Sequence, residues 1–240
     1  MTLDFNRYKA LTFDCYGTLI DWETGIATAL ATWAKKRNVT LPADGGLALF
    51  GKHETKLEAT MGTTLYRDLL GHVLAGMAAE LGATADEADQ AAFGASVGDW
   101  PAFDDSTDAL KRLKKRYRLC ILSNVDRASF ARSNKKLGVE FDLIVTAEDV
   151  KSYKPNLNHF HRAFDELKAM GVERADILHV AQSLHHDHVP AKRIGMPSVW
   201  INRRAVRGGG WGATVPPPED VKPDMEFPSM AAFADATGVR

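Results

Sequence analysis

The stretch ALTFDCYGTLID, residues 10–21, places an acidic residue at the end of a short apolar run. Asp14 closes the run, and Gly17 and Thr18 follow it closely. In an open parallel sheet, ligands bind beyond the carboxyl ends of the strands. The pattern therefore predicts a reactive carboxylate at a strand tip, with Tyr16 rather than a second acid two positions later.

Outward from this stretch, apolar runs of strand length alternate with segments of helical periodicity. This alternation is typical of an α/β protein, in which helices cover both faces of a parallel sheet. The predicted strands are residues 8–13, 118–122, 142–146, 177–180 and 198–201. Helices are predicted within 106–116, 127–138 and 156–171, and Gly138 and Gly171 are suited to ending the last two.

Residues 22–100 break the alternation, because they show helical periodicity and no clear strand. We therefore predict a core formed by residues 1–20 and 101–240, with residues 21–100 inserted as a helical domain. The tail after Arg204 changes character again: residues 207–224 are rich in Gly and Pro, which favours a loop over a helix or strand.

Composition limits the function classes. The 30 basic and 31 acidic side chains nearly cancel, so the broad positive field of a nucleic-acid-binding protein is missing. The first residues lack the apolar segment of a signal peptide, and no apolar run approaches the length of a membrane span. These features predict a cytoplasmic protein that binds neither nucleic acid nor membrane.

The two cysteines, Cys15 and Cys120, lie in or beside apolar strand-like runs, which favours buried, reduced thiols. Cys15 adjoins Asp14, so a nucleophilic thiol is an alternative to a nucleophilic carboxylate. No histidine is near either cysteine in sequence, although such partners can meet in space.

Polar residues follow four of the predicted strands, where the carboxyl ends of a parallel sheet converge on one crevice. Each of them alone is typical of a helix cap, and their recurrence after successive strands favours a common site. These residues are Asp14 and Thr18, then Ser123 and Asn124, then Lys154, and finally Ser183, His185, His186 and Asp187.

Four segments in this order, DCYGTL, ILSN, SYKP and SLHHDH, give the chain a resemblance to the haloacid dehalogenase superfamily. The resemblance spans residues from about 8 to 203 and implies a Rossmann-like core with a helical cap inserted after the first motif. It also implies that Asp14 is the nucleophile, with Ser123, Lys154 and Asp187 in the later motifs.

Tyr16 indicates which branch of the superfamily the chain resembles. Phosphatases of this superfamily carry a second aspartate at this position, which protonates the leaving alcohol beside a magnesium ion. A phenol with a pKa of about 10 is a poor substitute for that acid. A halide leaves without a proton, so a site without that acid suits displacement at carbon. The pattern Asp-x-Tyr-Gly-Thr-Leu, residues 14–19, resembles the L-2-haloacid dehalogenase branch, which implies no metal and no cofactor.

The mechanism that this resemblance implies starts with attack by Asp14 on the α-carbon of a small 2-substituted carboxylate, followed by hydrolysis of the resulting ester. In it, Lys154 is the counter-ion of Asp14, and Ser123 and Thr18 bind the substrate carboxylate. Asn124 donates to the departing anion, and Asp187 positions or deprotonates the hydrolytic water. A helix-cap role for Asp187 is the alternative.

The chain departs from this branch at two places. Where those dehalogenases carry a cap arginine that faces the halide, the best alignment places His53, with Arg67 and Arg37 as alternatives. In AQSLHHDH, residues 181–188, Leu184 and His185 occupy the expected place of an asparagine. Adjacent histidines rarely point at one ion, so no metal site is predicted there.

Further residues are predicted to contact the substrate. Ser183, His185, Tyr16 and Trp22 join His53 and Asn124 as candidate binding residues, whereas solvent exposure of the histidines and simple packing of the aromatics are the alternatives.

Other functions stay open at this point. Hydrolytic ring opening of a cyclic amino acid such as azetidine-2-carboxylate uses the same ester chemistry with an amine as leaving group. Small-molecule phosphatase activity and binding of a carboxylate without turnover are further alternatives. Residues 66–82 are apolar enough to suggest a homodimer, with simple coverage of the core as the alternative.

Overall fold

The computed structural model describes residues 3–205, 213–214, 216–217 and 220–239. Its sheet has six parallel strands: β1 Ala10–Phe13, β2 Arg118–Ser123, β3 Leu143–Thr146, β4 Ile177–Ala181, β5 Ser198–Ile201 and β6 Met225–Phe227. Their spatial order is β3-β2-β1-β4-β5-β6, so the chain reverses direction across the sheet at β1. The predicted α/β fold with a parallel sheet is confirmed, and the crevice above β1 is where such sheets bind ligands.

Four helices fill the segment between β1 and β2 before the core resumes: α1 Trp22–Arg37, α2 Leu47–Thr60, α3 Tyr66–Glu80 and α4 Glu87–Ala95. A short 3-10 turn, Ser96–Asp99, follows them. Residues 22–99 are all described and contain no strand, as the periodicity predicted. The domain boundaries at residues 20 and 101 stay a prediction.

The apolar side of α3 is turned inward. Leu69, Leu70, Val73, Leu74 and Met77 are all fully buried within the single chain. These side chains stabilise the packing of the helical segment, since each buried aliphatic side chain contributes about 1.5–3 kcal/mol. The homodimer stays a prediction, and the inward apolar face gives it no support.

Six helices belong to the part of the chain after the helical segment: α5 Ser106–Leu113, α6 Arg127–Leu137, α7 Ala147–Val150, α8 Asn158–Ala169, α9 Val189–Arg193 and α10 Met230–Ala236. Gly138 ends α6 with a φ of 64°, in the left-handed region that glycine adopts readily. Gly171, with a φ of 79°, lies just beyond the end of α8. Both predicted helix stops are confirmed.

The end of the chain contains two elements that were not predicted. The predicted loop covers residues 207–224, and β6 and α10 lie beyond it, with β6 extending the sheet next to β5. The three strand residues are too few for a periodicity to emerge beside a Gly- and Pro-rich stretch. Most of residues 207–219 lie outside the described part of the chain.

The two connections between the helical segment and the core are held side by side. The amide of Asp21 donates to the carbonyl of Pro101 at 2.8 Å, and Ile20 pairs antiparallel with Ala102. Trp100 is buried directly against Gly25 of α1. These contacts fix the start of α1 relative to the tip of β1. Across the described residues, no helix has the length and apolar character that crossing a membrane requires.

Candidate active site

A cavity of about 50 Å³ lies between the carboxyl ends of the strands and the helical segment. Its walls come from the loops after β1, β2, β3 and β4 and from α2 and α3. The lining residues are Asp14, Tyr16, Trp22, Glu54, Thr55, Glu58, Tyr66, Ser123, Asn124, Lys154, Gln182, Ser183, His186, Asp187, Ala213 and Thr214.

Asp14 lies at the tip of β1 with both carboxylate oxygens engaged. Lys154 donates to Oδ1 at 3.0 Å, and the hydroxyl of Thr18 donates to Oδ2 at 3.0 Å. Thr18 in turn accepts from the backbone amide of Gln182 at 2.9 Å, so its hydroxyl hydrogen points at Asp14. Burial raises the pKa of Asp14; Lys154 opposes this shift, and the charge of Asp187 adds to it.

Lys154 is 1% exposed, and its ammonium has three acceptors. They are Asp14 Oδ1 at 3.0 Å, Asp187 Oδ1 at 2.7 Å and the carbonyl of Leu122 at 2.9 Å. Burial acts to lower the pKa of Lys154, but the charges of Asp14 and Asp187 outweigh it, so the pKa lies above its ordinary value. A buried cation therefore bridges the two carboxylates.

Asp187 lies in the helical turn Leu184–His188, directly after β4. Its Oδ1 accepts from Lys154 and, at 3.0 Å, from Nε2 of His179. The other ring nitrogen of His179, Nδ1, lies 2.9 Å from the hydroxyl of Thr12. Burial acts to raise the pKa of Asp187, but Lys154 and His179 outweigh it and hold the pKa well below its usual range. Oδ2 is buried and has no hydrogen-bond partner in the described part of the chain.

Ser123 ends β2 and contributes a second unsatisfied polar atom. Its hydroxyl is fully buried, lines the cavity and has no partner among the described residues. Asn124 is fixed, because its amide nitrogen donates to Glu58 and to the carbonyl of Lys154 while its oxygen accepts from the amide of Lys154. Ser183 also lines the cavity and caps the turn through the amide of His186.

Two predicted aromatic residues reach the cavity. The hydroxyl of Tyr16 is paired with Ser133 of α6 at 2.9 Å, and its ring meets Trp100 edge to face at 5.6 Å. Trp22 opens α1 and packs against Phe50 of α2. Both rings line the cavity, but the Tyr16 hydroxyl is directed into the core contact with Ser133.

Three predicted residues do not line the cavity: Thr18, whose hydroxyl is used on Asp14, His53 and His185. His53 lies on α2, where its Nε2 contacts Glu80 of α3 at 3.0 Å. His185 also lies outside the lining, with its ring against that of His186. The alternatives to His53 are engaged elsewhere, since Arg37 contacts Asp86 and Asp89 and Arg67 contacts Asp126.

Sequence reasoning missed the cavity wall that the helical segment supplies. Glu54 and Glu58 lie one turn apart on α2 and are only 4% and 8% exposed. Tyr66 donates to Glu54 at 2.5 Å, and His186 contacts Glu58 at 3.2 Å. Burial acts to lower the pKa of His186, but Glu58 outweighs it and raises the pKa. The four-residue spacing of the two glutamates was the available signal, although it is equally typical of a solvent-exposed helix face.

The alternative of a nucleophilic thiol finds no support. Burial raises the pKa of Cys15 well above its ordinary value, and burial likewise raises the pKa of Cys120 to about 12. Both are free and buried thiols. Within the described ranges, no cluster of three or more His, Cys, Asp or Glu side chains is arranged to hold a metal ion.

The family assignment follows from comparison with known proteins. Residues 8–193 match the model of the haloacid dehalogenase-like hydrolases, which covers the strands and loops that build the cavity. The chain belongs to this family. As a haloacid dehalogenase-like hydrolase, it is an enzyme, and the resemblance inferred from its four motifs is confirmed.

Two curated relatives of this haloacid dehalogenase-like hydrolase come from Pseudomonas putida. It is 32% identical to an (S)-2-haloacid dehalogenase over 105 residues, which cover 42% of this chain and 44% of that protein. It is 25% identical to (S)-2-haloacid dehalogenase H-109 over 215 residues, covering 86% of this chain and 91% of the relative. The chain thus spans less than half of the first relative and most of the second.

A solved structure shows the same fold in this family. The L-2-haloacid dehalogenase from Xanthobacter autotrophicus matches with a TM-score of 0.78 at 20% identity, covering 96% of this chain and 98% of that one. At this identity, the likeness establishes the architecture of the haloacid dehalogenase-like hydrolase, including the inserted cap, and not its substrate.

Proposed function

We propose that this hydrolase displaces a leaving group from the α-carbon of a small 2-substituted carboxylate through an ester on Asp14. The observation that carries the proposal is the position of Asp14, with Lys154 on one oxygen and Thr18 on the other, at the edge of a cavity of about 50 Å³. A carboxylate oriented by two donors and shielded from bulk water is a suitable nucleophile.

In the first step, an oxygen of Asp14 forms a bond to the α-carbon from the side opposite the leaving group. The electron pair of the broken bond departs with the leaving group, and the carbon inverts. Lys154 and Thr18 keep the carboxylate in one orientation, which supplies the alignment that displacement needs.

In the second step, water attacks the carbonyl carbon of the Asp14 ester and releases a 2-hydroxy acid. Oδ2 of Asp187 is the acceptor best placed by its chemistry to orient and deprotonate this water, because it is buried and without a partner among described residues. His179 and Lys154 hold the opposite oxygen and prevent the carboxylate from rotating.

The substrate carboxylate is assigned to the Ser123 side of the cavity. The Ser123 hydroxyl is buried against the cavity and has no partner in the described structure, so it can donate to an anionic oxygen. Hydrogen bonds to an ionised acceptor are about twice as strong as neutral ones.

Halide is the first candidate leaving group, because both Pseudomonas putida relatives are named (S)-2-haloacid dehalogenases. A halide leaves without a proton. This agrees with the Tyr16 hydroxyl, which is engaged with Ser133 and does not replace the acid of a phosphatase site.

A ring amine is the second candidate, supported by the wall that faces Asp14. Glu54 and Glu58 line the cavity, and among its described lining residues there is no arginine to receive a departing anion. Hydrolytic opening of azetidine-2-carboxylate would use the same attack by Asp14, and its leaving atom is a basic nitrogen.

The test measures product release in metal-free buffer with chelator. Chloride release from the two enantiomers of 2-chloropropionate and ring opening of L-azetidine-2-carboxylate are followed for the wild type, Asp14→Asn and Asp108→Asn. Asp108 is an exposed carboxylate on α5 and serves as the matched control. We expect turnover of at least one substrate class by wild type and control and none by Asp14→Asn. Turnover of phosphate esters alone, or a fully active Asp14→Asn enzyme, would overturn the proposal.

A further inference from the structure

The part of the cavity wall that α2 contributes, here called the cap wall, contains two buried carboxylates. The proposed steps do not use them. Glu54 and Glu58 lie four residues apart on α2, so both point from one helix face into the cavity that Asp14 lines. Glutamates are rarely buried without a cation or a set of hydrogen bonds. The partners of each residue therefore indicate what it does.

Glu58 is fully engaged by the core. Its Oε1 accepts from Asn124 at 3.0 Å, and its Oε2 lies 3.2 Å from Nε2 of His186. This arrangement links α2 to the loops after β2 and β4 and uses both carboxylate oxygens.

Glu54 is different, because no cation contacts it in the described structure. Its Oε1 accepts from the hydroxyl of Tyr66 at 2.5 Å, and Oε2 has no described hydrogen-bond partner. The titratable groups around it are Glu58 on the same helix, Tyr66 on α3, Tyr153 before Lys154, and His186 after β4. His186 is the one group among these that can carry a positive charge, and it is paired with Glu58.

These surroundings favour a protonated Glu54. Burial and the charge of Glu58 raise the pKa of Glu54 to about 8, against the opposing effects of Tyr66 and His186. Burial also raises the pKa values of Tyr66 and Tyr153. Glu54 is therefore a neutral acid at neutral pH, and the two phenols are much weaker proton donors.

We propose that Glu54 is a catalytic acid that gives its proton to the leaving atom, and that this atom is the nitrogen of a strained cyclic amino acid. The inference rests on the proposed function and selects between its two leaving groups. It also accounts for Tyr16, because the acid that is missing two positions after Asp14 is supplied from the cap wall.

Placement supports this role. Displacement puts the nucleophile and the leaving group on opposite sides of the carbon, and here Asp14 comes from the sheet while Glu54 comes from the cap. Both line the same cavity, so a small substrate bound in it lies between the sheet and the cap wall. General acid catalysis requires hydrogen-bond reach of the leaving atom and a suitable pKa.

The proton balance closes without another reactant. Asp14 forms the C–O bond, the C–N bond breaks, and its electron pair stays on nitrogen, which takes the proton of Glu54. Water then hydrolyses the Asp14 ester, its oxygen enters the Asp14 carboxyl, and its second proton restores Glu54. The net reaction adds one water across the C–N bond and gives a 2-hydroxy acid with a free amino group.

A halide fits this wall less well. It needs no proton and is stabilised by a cation, but the basic side chains of the described lining, Lys154 and His186, each lie within 3.2 Å of carboxylates.

The experiment compares Glu54→Gln with Glu80→Gln on the two substrate classes. Glu80 lies outside the cavity, is about half exposed and contacts Lys52, so it is the matched control on the same segment. We expect Glu54→Gln to lower kcat for ring opening of L-azetidine-2-carboxylate by about 100-fold or more. Any chloride release from 2-chloropropionate should fall less than about tenfold, since halide departure needs no acid.

The pH profile separates a proton donor from a merely structural residue. For the wild type, kcat for ring opening should decline on the alkaline side near pH 8, where Glu54 loses its proton, and this limb should shift in Glu54→Asp. Circular dichroism confirms that each variant is folded.

Two outcomes overturn the inference, and they differ from failure of the proposed function. Ring opening by Glu54→Gln at the rate of Glu80→Gln excludes the acid role while leaving the Asp14 mechanism intact. Chloride release without any ring opening by the wild type excludes a nitrogen leaving group and leaves the Asp14 mechanism intact. Absence of Asp14-dependent turnover with either substrate removes the proposed function itself.

Discussion

Lys154 Nζ lies 3.0 Å from Asp14 Oδ1, and both side chains are buried. Replacing Lys154 by Met keeps the length of the side chain but leaves two carboxylates, Asp14 and Asp187, without their shared cation. Breaking a buried ion pair costs about 3–5 kcal/mol. We expect loss of most turnover and a lower free energy of unfolding by urea.

The control for this prediction is Lys9→Met, since the Lys9–Asp176 pair is largely exposed. An exposed pair contributes about 0–1 kcal/mol. Equal stability losses in the two variants would contradict the structural role assigned to Lys154.

His179→Leu removes one of the two hydrogen-bond donors to Asp187 Oδ1. Because Lys154 still contacts that oxygen, we expect Asp187 to stay in place but to orient water less well, with kcat reduced about tenfold or more. Hydrolysis of the ester should then become slower than its formation, so mass spectrometry of the quenched enzyme should detect the ester on Asp14.

His188→Leu is the matched buried control, because that ring contacts Ser198 and the carbonyl of Ala181 and does not bond Asp187. Ester accumulation in both variants, or in neither, would argue against a positioning role for His179.

Glu54 should also make stability depend on pH. Its pKa is about 8 in the folded chain, against about 4.3 for an unfolded glutamate. Between these values the unfolded chain loses the proton first, so the free energy of unfolding falls as pH rises from about 4 to about 8. Glu54→Gln removes this pH dependence, and the melting temperature of the variant should rise relative to that of the wild type across the same interval.

Differential scanning calorimetry between pH 4.5 and 8.5 measures this difference, with Glu80→Gln as the control. A constant offset between Glu54→Gln and wild type over the whole range would show that Glu54 ionises normally.

Gly25→Ala tests the packing that seats the cap on the core. A Cβ at Gly25 would lie 2.2 Å from Cγ of Trp100, and the indole is too well buried to move aside freely. Overpacking of this kind costs about 1–3 kcal/mol. Gly62→Ala is the control, since its nearest neighbour is a carbonyl at 4.0 Å. Urea unfolding should separate the two variants, and equal stability would contradict the close contact.

The sequence predicted the sheet side of the site because strand order and strand ends are encoded locally. An apolar run followed by a polar residue places that residue at the edge of the sheet, and this rule brought Asp14, Ser123, Lys154 and Asp187 to one crevice. Predicting these residues required no knowledge of side-chain packing.

The cap side was harder to predict, because helical periodicity does not show which polar side faces a cavity. His53 was predicted to reach the substrate, but its neighbour Glu54 is the residue that lines the cavity. One residue corresponds to about 100° of rotation around a helix. The inward side is set by how α2 packs on α3 and the core. β6 was missed because three residues are too few for an alternating pattern.

The most direct test of the central claim is oxygen labelling of Asp14. The enzyme is allowed many turnovers of its substrate in water enriched in oxygen-18, then digested, and the peptide containing residues 10–21 is weighed and sequenced by tandem mass spectrometry. An Asp14 ester requires water to attack the aspartyl carbonyl, so labelled oxygen should accumulate in the Asp14 carboxyl and in no other acid of that peptide. Turnover that labels only the product, with Asp14 left unlabelled, would contradict the account.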